Sequence, residues 1–292
     1  MKFVDRSNDA IFVTGASTGI GRCTALHLVR EGYTVFAAVR DESARHSLLE
    51  ASDGRLKTCF LDITDHDGVL AAAEMIAEAL EGKSSLYALV NNAGITVPGS
   101  VEFVPLQTMR KAFEVNLIGQ LAVTQAFLPL IRKGRGRIIQ VSSALGMLAM
   151  PLAGPYAASK FAIEGLTDAL RRELRPWGIH VVLIEPGSIQ SAIWGKIDAQ
   201  IAAMESELPP AARDLYGPLA AGVRYIWDRA EKTAIPPVAV ARAVSHALAS
   251  RQPRIRYAVG WDSRFLRAVS TWVPARVVDL ALGSYLRRTV RG

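Results

Sequence analysis

The stretch AIFVTGASTGIGRCTALHLVREG (residues 10–32) decides the fold. It begins with an apolar run ending in glycine, which predicts a buried strand, and it continues from residue 20 with helical spacing. The turn between them, TGASTGIG (residues 14–21), contains three glycines, Gly15, Gly19 and Gly21. Glycines let the backbone approach a phosphate at a helix N-terminus, although a tight strand-to-helix turn also requires them. Because this turn follows the first strand, we favour a nucleotide site.

The alternation of strands and helices continues along the chain. Apolar runs predict further strands at residues 33–40, 55–63, 86–94, 136–143, 179–187 and 254–260. Helical spacing predicts helices at residues 44–52, 68–82, 106–134, 156–178 and 238–250, and an amphipathic helical tail at 263–288. Near-continuous apolar strands alternating with helices are typical of a parallel sheet covered on both faces. We predict a single α/β domain, a doubly wound Rossmann fold with a C-terminal helical extension.

We expect this domain to have three parts. Residues 8–190 form the dinucleotide-binding and catalytic core, 190–250 a substrate-binding loop and helices, and 251–292 the last strand and a basic tail. The composition, 50% hydrophobic and 21% charged over 292 residues, is globular. Two cysteines favour a reducing compartment, and the first ten residues lack the apolar region of a signal peptide. We therefore expect a cytoplasmic protein.

The net charge of +7 belongs to the C-terminal segment, residues 251–292. This segment has nine arginines, opposed only by Asp262 and Asp279, and no lysine. A basic segment can bind nucleic acid or an anionic membrane surface. We do not expect nucleic acid, because the segment has no recognisable binding motif.

The end of the second predicted strand, AAVRDE (residues 37–42), bears on the choice of cofactor. A carboxylate at the strand's end would bond an adenosine ribose and repel a 2′-phosphate. This chain instead has Val39 followed by Arg40, whose guanidinium suits a 2′-phosphate. The alternative is a solvated Arg40 paired with Asp41. We favour NADP, with NAD as a possible cofactor.

In YAASK (residues 156–160), Tyr156 precedes Lys160 by four positions, so both side chains lie on one face of a predicted helix. A nearby cation favours the phenolate and lowers a tyrosine pKa toward the range of a general acid/base. The spacing alone is also compatible with an ordinary surface lysine.

Seven motifs then occur in register: TGASTGIG, Leu61–Asp62, NNAG (91–94), Val115–Asn116, VSS (141–143), YAASK and EPG (185–187). Together they resemble the short-chain dehydrogenases/reductases over roughly residues 8 to 195. The stretch from 154 to 187 is most similar to the branch of 17β-hydroxysteroid and retinol dehydrogenases. The resemblance implies an enzyme in which Tyr156 is the general acid/base and Lys160 lowers its pKa and holds the nicotinamide ribose. It also implies that Ser143 bonds the substrate oxygen and that Asn116 keeps a water in a proton relay.

The resemblance also implies a set of cofactor contacts. The glycine turn would hold the pyrophosphate through Gly15, Ser17, Thr18, Gly19, Ile20 and Gly21, with Arg40 at the 2′-phosphate. Asp62 and Ile63 would contact the adenine end, and the cofactor would be lined by Asn92, Ala93 and Gly94. The nicotinamide would meet Pro186, Gly187, Ile189 and Ser191, the last standing where the family more often has threonine.

The region after residue 190 would shape the substrate pocket. It carries apolar and aromatic side chains that suit a steroid-, retinoid- or lipid-like substrate or ordinary core packing: Ile193, Trp194, Ile197, Ile201, Met204, Tyr216, Tyr225 and Trp227. The amphipathic tail could lie on an anionic membrane, but we favour packing on the core or at a subunit interface. Family members are commonly homodimers or homotetramers through the helices at 106–134 and 156–176.

The five histidines have no metal or triad spacing, so we assign no metal site. The filled catalytic positions predict an oxidoreductase that transfers hydride between NADP(H) and an apolar alcohol or ketone. The alternative is a non-catalytic dinucleotide-binding regulator on the same fold.

Overall fold

The computed structural model describes residues 9–80, 85–191, 194–195 and 210–291. Its strands are β1 (Asp9–Val13), β2 (Thr34–Val39), β3 (Lys57–Phe60), β4 (Ser85–Asn91), β5 (Arg137–Val141), β6 (His180–Pro186) and β7 (Arg256–Val259). Its helices are α1 (Gly19–Arg30), α2 (Glu42–Ala51), α3 (His66–Leu80), α4 (Leu106–Phe113), α5 (Gln120–Lys133), α6 (Gly154–Leu174), α7 (Pro210–Lys232), α8 (Val238–Ala249), α9 (Trp261–Trp272) and α10 (Ala275–Arg291).

The seven strands form one sheet in the order β3-β2-β1-β4-β5-β6-β7, and all neighbouring pairs are parallel. This confirms the predicted doubly wound sheet. The chain reverses its direction across the sheet between β1 and β4, because β2 and β3 lie on one side of β1 and the later strands on the other. The carboxyl ends of β1 and β4 therefore border a crevice, where open α/β sheets bind their ligands.

Each face of the sheet has its own apolar core. On one face, Leu28 of α1 and Val244 of α8 pack against buried strand residues. On the other, Ile76 of α3 and Phe127 of α5 do so, and the Phe127 ring stacks on Phe12 of β1 with centroids 4.4 Å apart. Two covered faces explain why the inner strands are near-continuous buried runs, whereas the edge strands β3 and β7 are only partly buried.

The stretch predicted as one helix at 106–134 is interrupted by a π-helical turn at Glu114–Gly119. A Cβ on Gly119 would lie 2.8 Å from the Ile63 carbonyl oxygen, so glycine permits this close approach. The predicted long helix is therefore confirmed as one helical stretch, Leu106–Lys133, but it contains a π turn, with Asn116 in it, that was not predicted. Such single π turns occur frequently at functional sites.

Leu106–Lys133 is also the one helical stretch in the described ranges that is long and apolar enough to cross a membrane, judged by length and composition. Its Val123, Phe127 and Ile131 are completely buried in the core beneath the sheet. We therefore interpret the stretch as a core helix.

The tail forms two helices, α9 and α10, separated at Pro274. Leu286 is buried, and Val278 and Leu282 are half-buried, as the expected packing requires. However, several large apolar side chains of the tail are exposed: Trp261, Phe265, Trp272, Val277 and Leu280. The tail therefore packs on the protein through one side, as expected, while its other side is exposed.

Candidate active site

The glycine turn lies at the crevice between β1 and β4. Gly15 and Gly19 have φ of +64° and +57°, which favour glycine over residues with a side chain. A Cβ on Gly21 would lie 2.2 Å from the Gly15 carbonyl oxygen and 2.4 Å from Nδ2 of Asn92. The three glycines thus allow the turn to fold tightly against the end of β4 and to present the N-terminus of α1 to the crevice.

Polar side chains hold this turn in place. The Asn92 amide donates to the carbonyls of Thr14 and Gly15 at 3.0 and 3.1 Å. The Thr14 hydroxyl accepts from the backbone N–H groups of Asn92 and Ala93 at 3.0 and 3.1 Å. Asn92 therefore stabilises the glycine turn, a structural task beyond the predicted cofactor contact.

Arg40 and Asp62 lie at one end of the crevice. Val39 is buried at the end of β2, whereas the following Arg40 is exposed and lines the cavity. The Asp41 carboxylate accepts from the Ala44 N–H at 2.8 Å and caps α2. Asp62 accepts from the backbone and hydroxyl of Thr64, and these hydrogen bonds lower the pKa of its carboxyl group.

Asn116 is completely buried in the π-helical turn. Its Oδ1 accepts from the Ile95 N–H at 2.8 Å, and its Nδ2 donates to the Ile95 carbonyl and the Ser159 hydroxyl, both at 2.9 Å. Ser159 in turn donates to the Tyr156 carbonyl at 2.7 Å. The Asn116 side chain thus joins the loop after β4 to the helix that carries the tyrosine.

Lys160 is buried beside the Tyr156 ring, with its Nζ 5.8 Å from the ring centroid. The ammonium donates to the Val141 carbonyl at 3.0 Å. Burial lowers the pKa of Lys160 to about 8, and the negative charge of Glu164 opposes this effect. The lysine therefore titrates close to neutral pH, where a change in its charge can affect the site.

Burial raises the pKa of the Tyr156 hydroxyl, and a side-chain hydrogen bond with Ser143 partly offsets this. The expectation that Lys160 lowers the tyrosine pKa is therefore not met by the residues of the chain themselves. The physical reason is that desolvation of the phenolate exceeds the favourable interactions around it. The hydroxyl of Tyr156 holds its proton and is in the form that a proton donor requires.

A cluster of charges around the buried Glu164 and Glu185 lies behind Lys160, and the sequence did not predict it. The Arg256 Nη2 of β7 is 3.2 Å from Glu164 and 3.0 Å from Asp168 on α6. The completely buried Glu185 lies 3.2 Å from Arg256 Nε and 2.7 Å from Arg267 Nη1. Burial raises the pKa of Glu185 to about 7, and the charge of Glu164 adds to that rise. The one signal in the sequence was the spacing of Lys160 and Glu164, which places both on one helix face.

The segment after β6 is held by α9. The Asp262 carboxylate accepts from the Ser188 N–H at 2.6 Å, and a Cβ on Gly187 would lie 2.0 Å from this carboxylate. Backbone hydrogen bonds with Ile235 fix Ser188 and Gln190 on either side of the buried Ile189. The tail thus helps to shape the predicted nicotinamide segment.

A cavity of about 720 Å³ brings most of the predicted residues together. It is lined by Gly15, Ser17, Thr18, Gly19, Ile20, Gly21, Arg40, Asp62, Ile63, Asn92, Ala93, Gly94, Tyr156, Lys160 and Ser191. Five predicted residues do not line it: Asn116, Ser143, Pro186, Gly187 and Ile189. Arg110, Lys111 and Glu114 line it without having been predicted.

The predicted substrate region is described only in part. Ile193, Ile197, Ile201 and Met204 lie outside the described residues. The Trp194 indole donates to the Ile189 carbonyl at 2.9 Å. On α7, Tyr216 donates to the Glu102 carboxylate at 2.7 Å, and its ring meets that of Phe103 edge-on. The half-exposed Tyr225 and partly buried Trp227 lie farther along α7.

The sequence pattern of the family described as short chain dehydrogenase matches residues 9–202. Retinol dehydrogenase 5 of Mus musculus is 34% identical, with 97% of this chain and 90% of the relative covered. The NADPH-dependent 3-dehydrocapnine reductase of Ornithobacterium rhinotracheale is 36% identical, with 91% and 93% covered. The crystal structure of a short-chain dehydrogenase from Streptomyces avermitilis superimposes with a TM-score of 0.76 at 27% identity, over 97% of this chain and 99% of the other.

These matches confirm the resemblance that the seven motifs indicated. The parallel sheet and its crevice are those that the motifs predicted, and the sequence similarity to retinol dehydrogenase 5 extends over 97% of the chain. This chain belongs to the short chain dehydrogenase family, and it is an NAD(P)-dependent oxidoreductase that acts on alcohol and carbonyl groups.

Proposed function

We propose that this enzyme transfers hydride between NADP(H) and the alcohol and ketone forms of an apolar substrate, with Tyr156 as general acid/base. The observation that carries the proposal is a single cavity that joins the glycine turn and Arg40 to Tyr156 and Lys160. Such a cavity can hold an extended dinucleotide with its reactive end at the tyrosine.

The residues present fit a dinucleotide. The glycines let the turn fold tightly, because a Cβ on Gly15 or Gly21 would meet atoms of the chain at 2.7 or 2.2 Å. The turn therefore presents the N-terminus of α1 to the cavity, where Thr18 makes no side-chain cap and the first N–H groups can face a pyrophosphate. A Cβ on Gly94 would approach Asn116 Oδ1 to 3.1 Å and Lys160 Nζ to 3.7 Å, so glycine keeps this part of the wall open. A nicotinamide bound here would supply or accept the hydride.

The proton chemistry belongs to Tyr156, Ser143 and Lys160. As negative charge develops on a substrate carbonyl oxygen, the Tyr156 hydroxyl donates its proton to that oxygen, and the Ser143 hydroxyl stabilises it by a hydrogen bond. Lys160, with a pKa of about 8, stabilises the resulting phenolate as an ammonium. In the oxidation direction, the phenolate accepts the proton of the alcohol. Asn116 positions the tyrosine helix through Ser159.

The preference for NADP rests on Arg40. Its guanidinium is exposed on the cavity at the end of β2, while the adjacent Asp41 carboxylate is engaged in capping α2. Arg40 is therefore available for a 2′-phosphate, with which a guanidinium makes charge-assisted hydrogen bonds. The NADPH dependence named for the similar bacterial reductase supports this assignment.

The apolar substrate class rests on residues 144–153, ALGMLAMPLA, which connect Ser143 to the start of α6 without a polar side chain. Several of them are only partly buried, among them Leu145, Met147 and Met150. The Gly99 N–H donates to the Leu152 carbonyl at 2.7 Å, which joins this segment to the loop that contacts α7. The similarity to a retinol dehydrogenase supports an apolar substrate.

The test is the oxidation of NADPH and NADH, followed by nicotinamide absorbance, with a panel of steroid, retinoid and aliphatic ketones and aldehydes. We expect turnover of an apolar carbonyl with NADPH and loss of turnover in Tyr156→Phe, with NADPH binding retained. NADPH binding without turnover of any compound in the panel would favour the non-catalytic regulator.

A second pair of variants tests the cofactor assignment. Losing a charge-assisted hydrogen bond in Arg40→Gln should weaken NADPH binding about 10- to 100-fold and leave NADH binding nearly unchanged. Arg45→Gln is the matched control, since Arg45 is partly exposed on α2, pairs with Glu42 and does not line the cavity. Equal loss of both cofactors in Arg40→Gln would contradict a 2′-phosphate contact.

A further inference from the structure

The outward face of α9 is apolar and strongly exposed. Trp261, Phe265 and Trp272 have 65%, 59% and 83% of their surface exposed. With the exposed Ala268, they follow one another at intervals of four, three and four residues, so all four lie on one side of the helix. This ridge is about 16 Å long. Single exposed apolar residues are ordinary, but an aligned ridge of two tryptophans and a phenylalanine marks an interaction surface.

The opposite face of α9 is fixed, so the ridge cannot turn inward. The Ser263 hydroxyl donates to the Glu185 carbonyl at 2.7 Å, and Arg267 donates to the Glu185 carboxylate at 2.7 Å. Asp262 accepts from the Ser188 N–H. Rotating the helix to bury the ridge would break all three contacts and leave the completely buried Glu185 without Arg267. The exposure is therefore built into the fold.

The next helix, α10, also carries exposed apolar side chains. On α10, Val277 and Leu280 are 52% and 71% exposed, whereas Leu286 is buried on the inner side. Arg264 of α9 and Arg276 of α10 are exposed beside these apolar residues. Exposed aromatic and aliphatic side chains flanked by arginines are the composition of helices that lie in the plane of a membrane interface.

The charge of this surface distinguishes between two binding partners, a second copy of the protein and a lipid bilayer. The segment from residue 251 to 292 carries nine arginines and two aspartates. Arg256, Arg267 and Asp262 are directed inward, whereas Arg264, Arg276 and Asp279 are exposed. A second copy placed symmetrically on the ridge would oppose arginines with arginines, which is unfavourable. An anionic bilayer matches both the positive charge and the exposed aromatic side chains, because its headgroups attract the arginines and its interface accepts the tryptophans. We propose that the exposed face of α9 and α10 docks the protein on the surface of an anionic lipid bilayer.

The test is co-sedimentation of the full-length protein with vesicles of phosphatidylcholine alone and with 30% phosphatidylserine, an anionic content on the order of that in cytoplasmic leaflets. We expect binding to the anionic vesicles that weakens as salt is raised, and little binding to the neutral ones. The double variant Phe265→Asp, Trp272→Asp should bind the anionic vesicles on the order of tenfold or more weakly. Leu70→Asp, at an exposed apolar position on α3, is the matched control and should bind like the wild type.

Thermal melting of each variant verifies that it is folded. Equal vesicle binding by the double variant and the wild type would overturn the proposal, as would failure of the wild type to bind anionic vesicles. A wild-type protein that ignores vesicles but loses self-association in the double variant would show that the face is instead an interface between copies. None of these outcomes depends on the identity of the substrate.

Discussion

Glu164 should control the charge of Lys160, the residue proposed to stabilise the phenolate of Tyr156. It lies one helical turn beyond Lys160 on α6 and is 8% exposed. Burial lowers the pKa of Lys160 to about 8, and the Glu164 carboxylate opposes that effect. Glu164→Gln removes the negative charge and nearly preserves the shape. We therefore expect the variant to have a lower lysine pKa and less ammonium at neutral pH.

The size of the effect follows from the helix geometry. Side chains one turn apart have Cβ atoms about 5–6 Å apart, and two unit charges at about 6 Å attract by roughly 3 kcal/mol at an effective dielectric constant of about 20. One pKa unit corresponds to about 1.36 kcal/mol, so complete loss of this attraction would lower the pKa by roughly 2. Arg256 already neutralises part of the carboxylate charge. A decrease of about 1 to 2 is the expected result.

Two measurements report this change. The ¹³Cε resonance of Lys160, identified by its absence in Lys160→Arg, gives the lysine pKa directly in each protein. The pH profile of kcat/KM gives its consequence, since in the proposed mechanism the ammonium of Lys160 stabilises the phenolate of Tyr156. The profile of Glu164→Gln should shift toward lower pH wherever the charge of the lysine limits turnover.

Asp168→Asn is the matched control. Asp168 lies one further turn from Lys160, is partly exposed and also contacts Arg256. Its replacement should change the lysine pKa much less, because the attraction is weaker at the greater distance and in the more solvated position. An unchanged or raised lysine pKa in Glu164→Gln would refute the electrostatic argument. Equal decreases of the lysine pKa in Glu164→Gln and Asp168→Asn would mean that their shared partner Arg256 controls this pKa. The distance between Glu164 and Lys160 would then not be decisive.

Three other substitutions test the site. Gly21→Ala places a Cβ 2.2 Å from the Gly15 carbonyl and should destabilise the protein by about 1–3 kcal/mol and weaken NADPH binding, whereas Gly165→Ala, with open space on an exposed helix face, should be neutral or stabilising in urea unfolding. Asn116→Ala removes three hydrogen bonds at a buried position, and the same measurement should show a loss of about 2–4 kcal/mol. Glu185 has a pKa of about 7 in the folded protein against an ordinary value of 4.5, so the folded state binds the proton more strongly and its stability falls as pH rises through this window. Glu185→Gln should remove this decline, about 3 kcal/mol at most, and a variant with the wild-type pH dependence would contradict the assignment.

The order of strands and helices could be predicted because buried parallel strands are near-continuous apolar runs. The prediction for strand β3 is the least accurate, because it spans residues 55–63 whereas only Lys57–Phe60 pairs with β2. It lies at the edge of the sheet, and Phe60 is 51% exposed. An apolar run at an edge gives less information about where pairing ends.

The π-helical turn could not be predicted, since residues 106–134 keep a helical pattern throughout. It depends on contacts between distant parts of the chain, namely those of Asn116 with Ile95 and of Gly119 with Ile63. The raised pKa of Tyr156 was also missed, because desolvation depends on the whole enclosure of the site. The motifs predicted that Tyr156 and Lys160 line one cavity with the glycine turn, but they did not predict the burial that shifts the pKa values of both groups.

The arginines of the basic C-terminal segment differ in direction, which a count of charges in the sequence does not reveal. Arg256 and Arg267 face inward and neutralise carboxylates of α6 and β6, so they do not contribute freely to an outward positive surface. Arg264 and Arg276 are exposed and do contribute. The two sets should therefore have separable effects. Replacing an inward arginine leaves a buried carboxylate without its partner, close to Lys160, whereas replacing an outward one would weaken only the proposed attraction to an anionic bilayer. The arginines of one helix, α9, thus pair with a buried carboxylate on its inner side, and on its outer side they form part of the face proposed to dock on a bilayer.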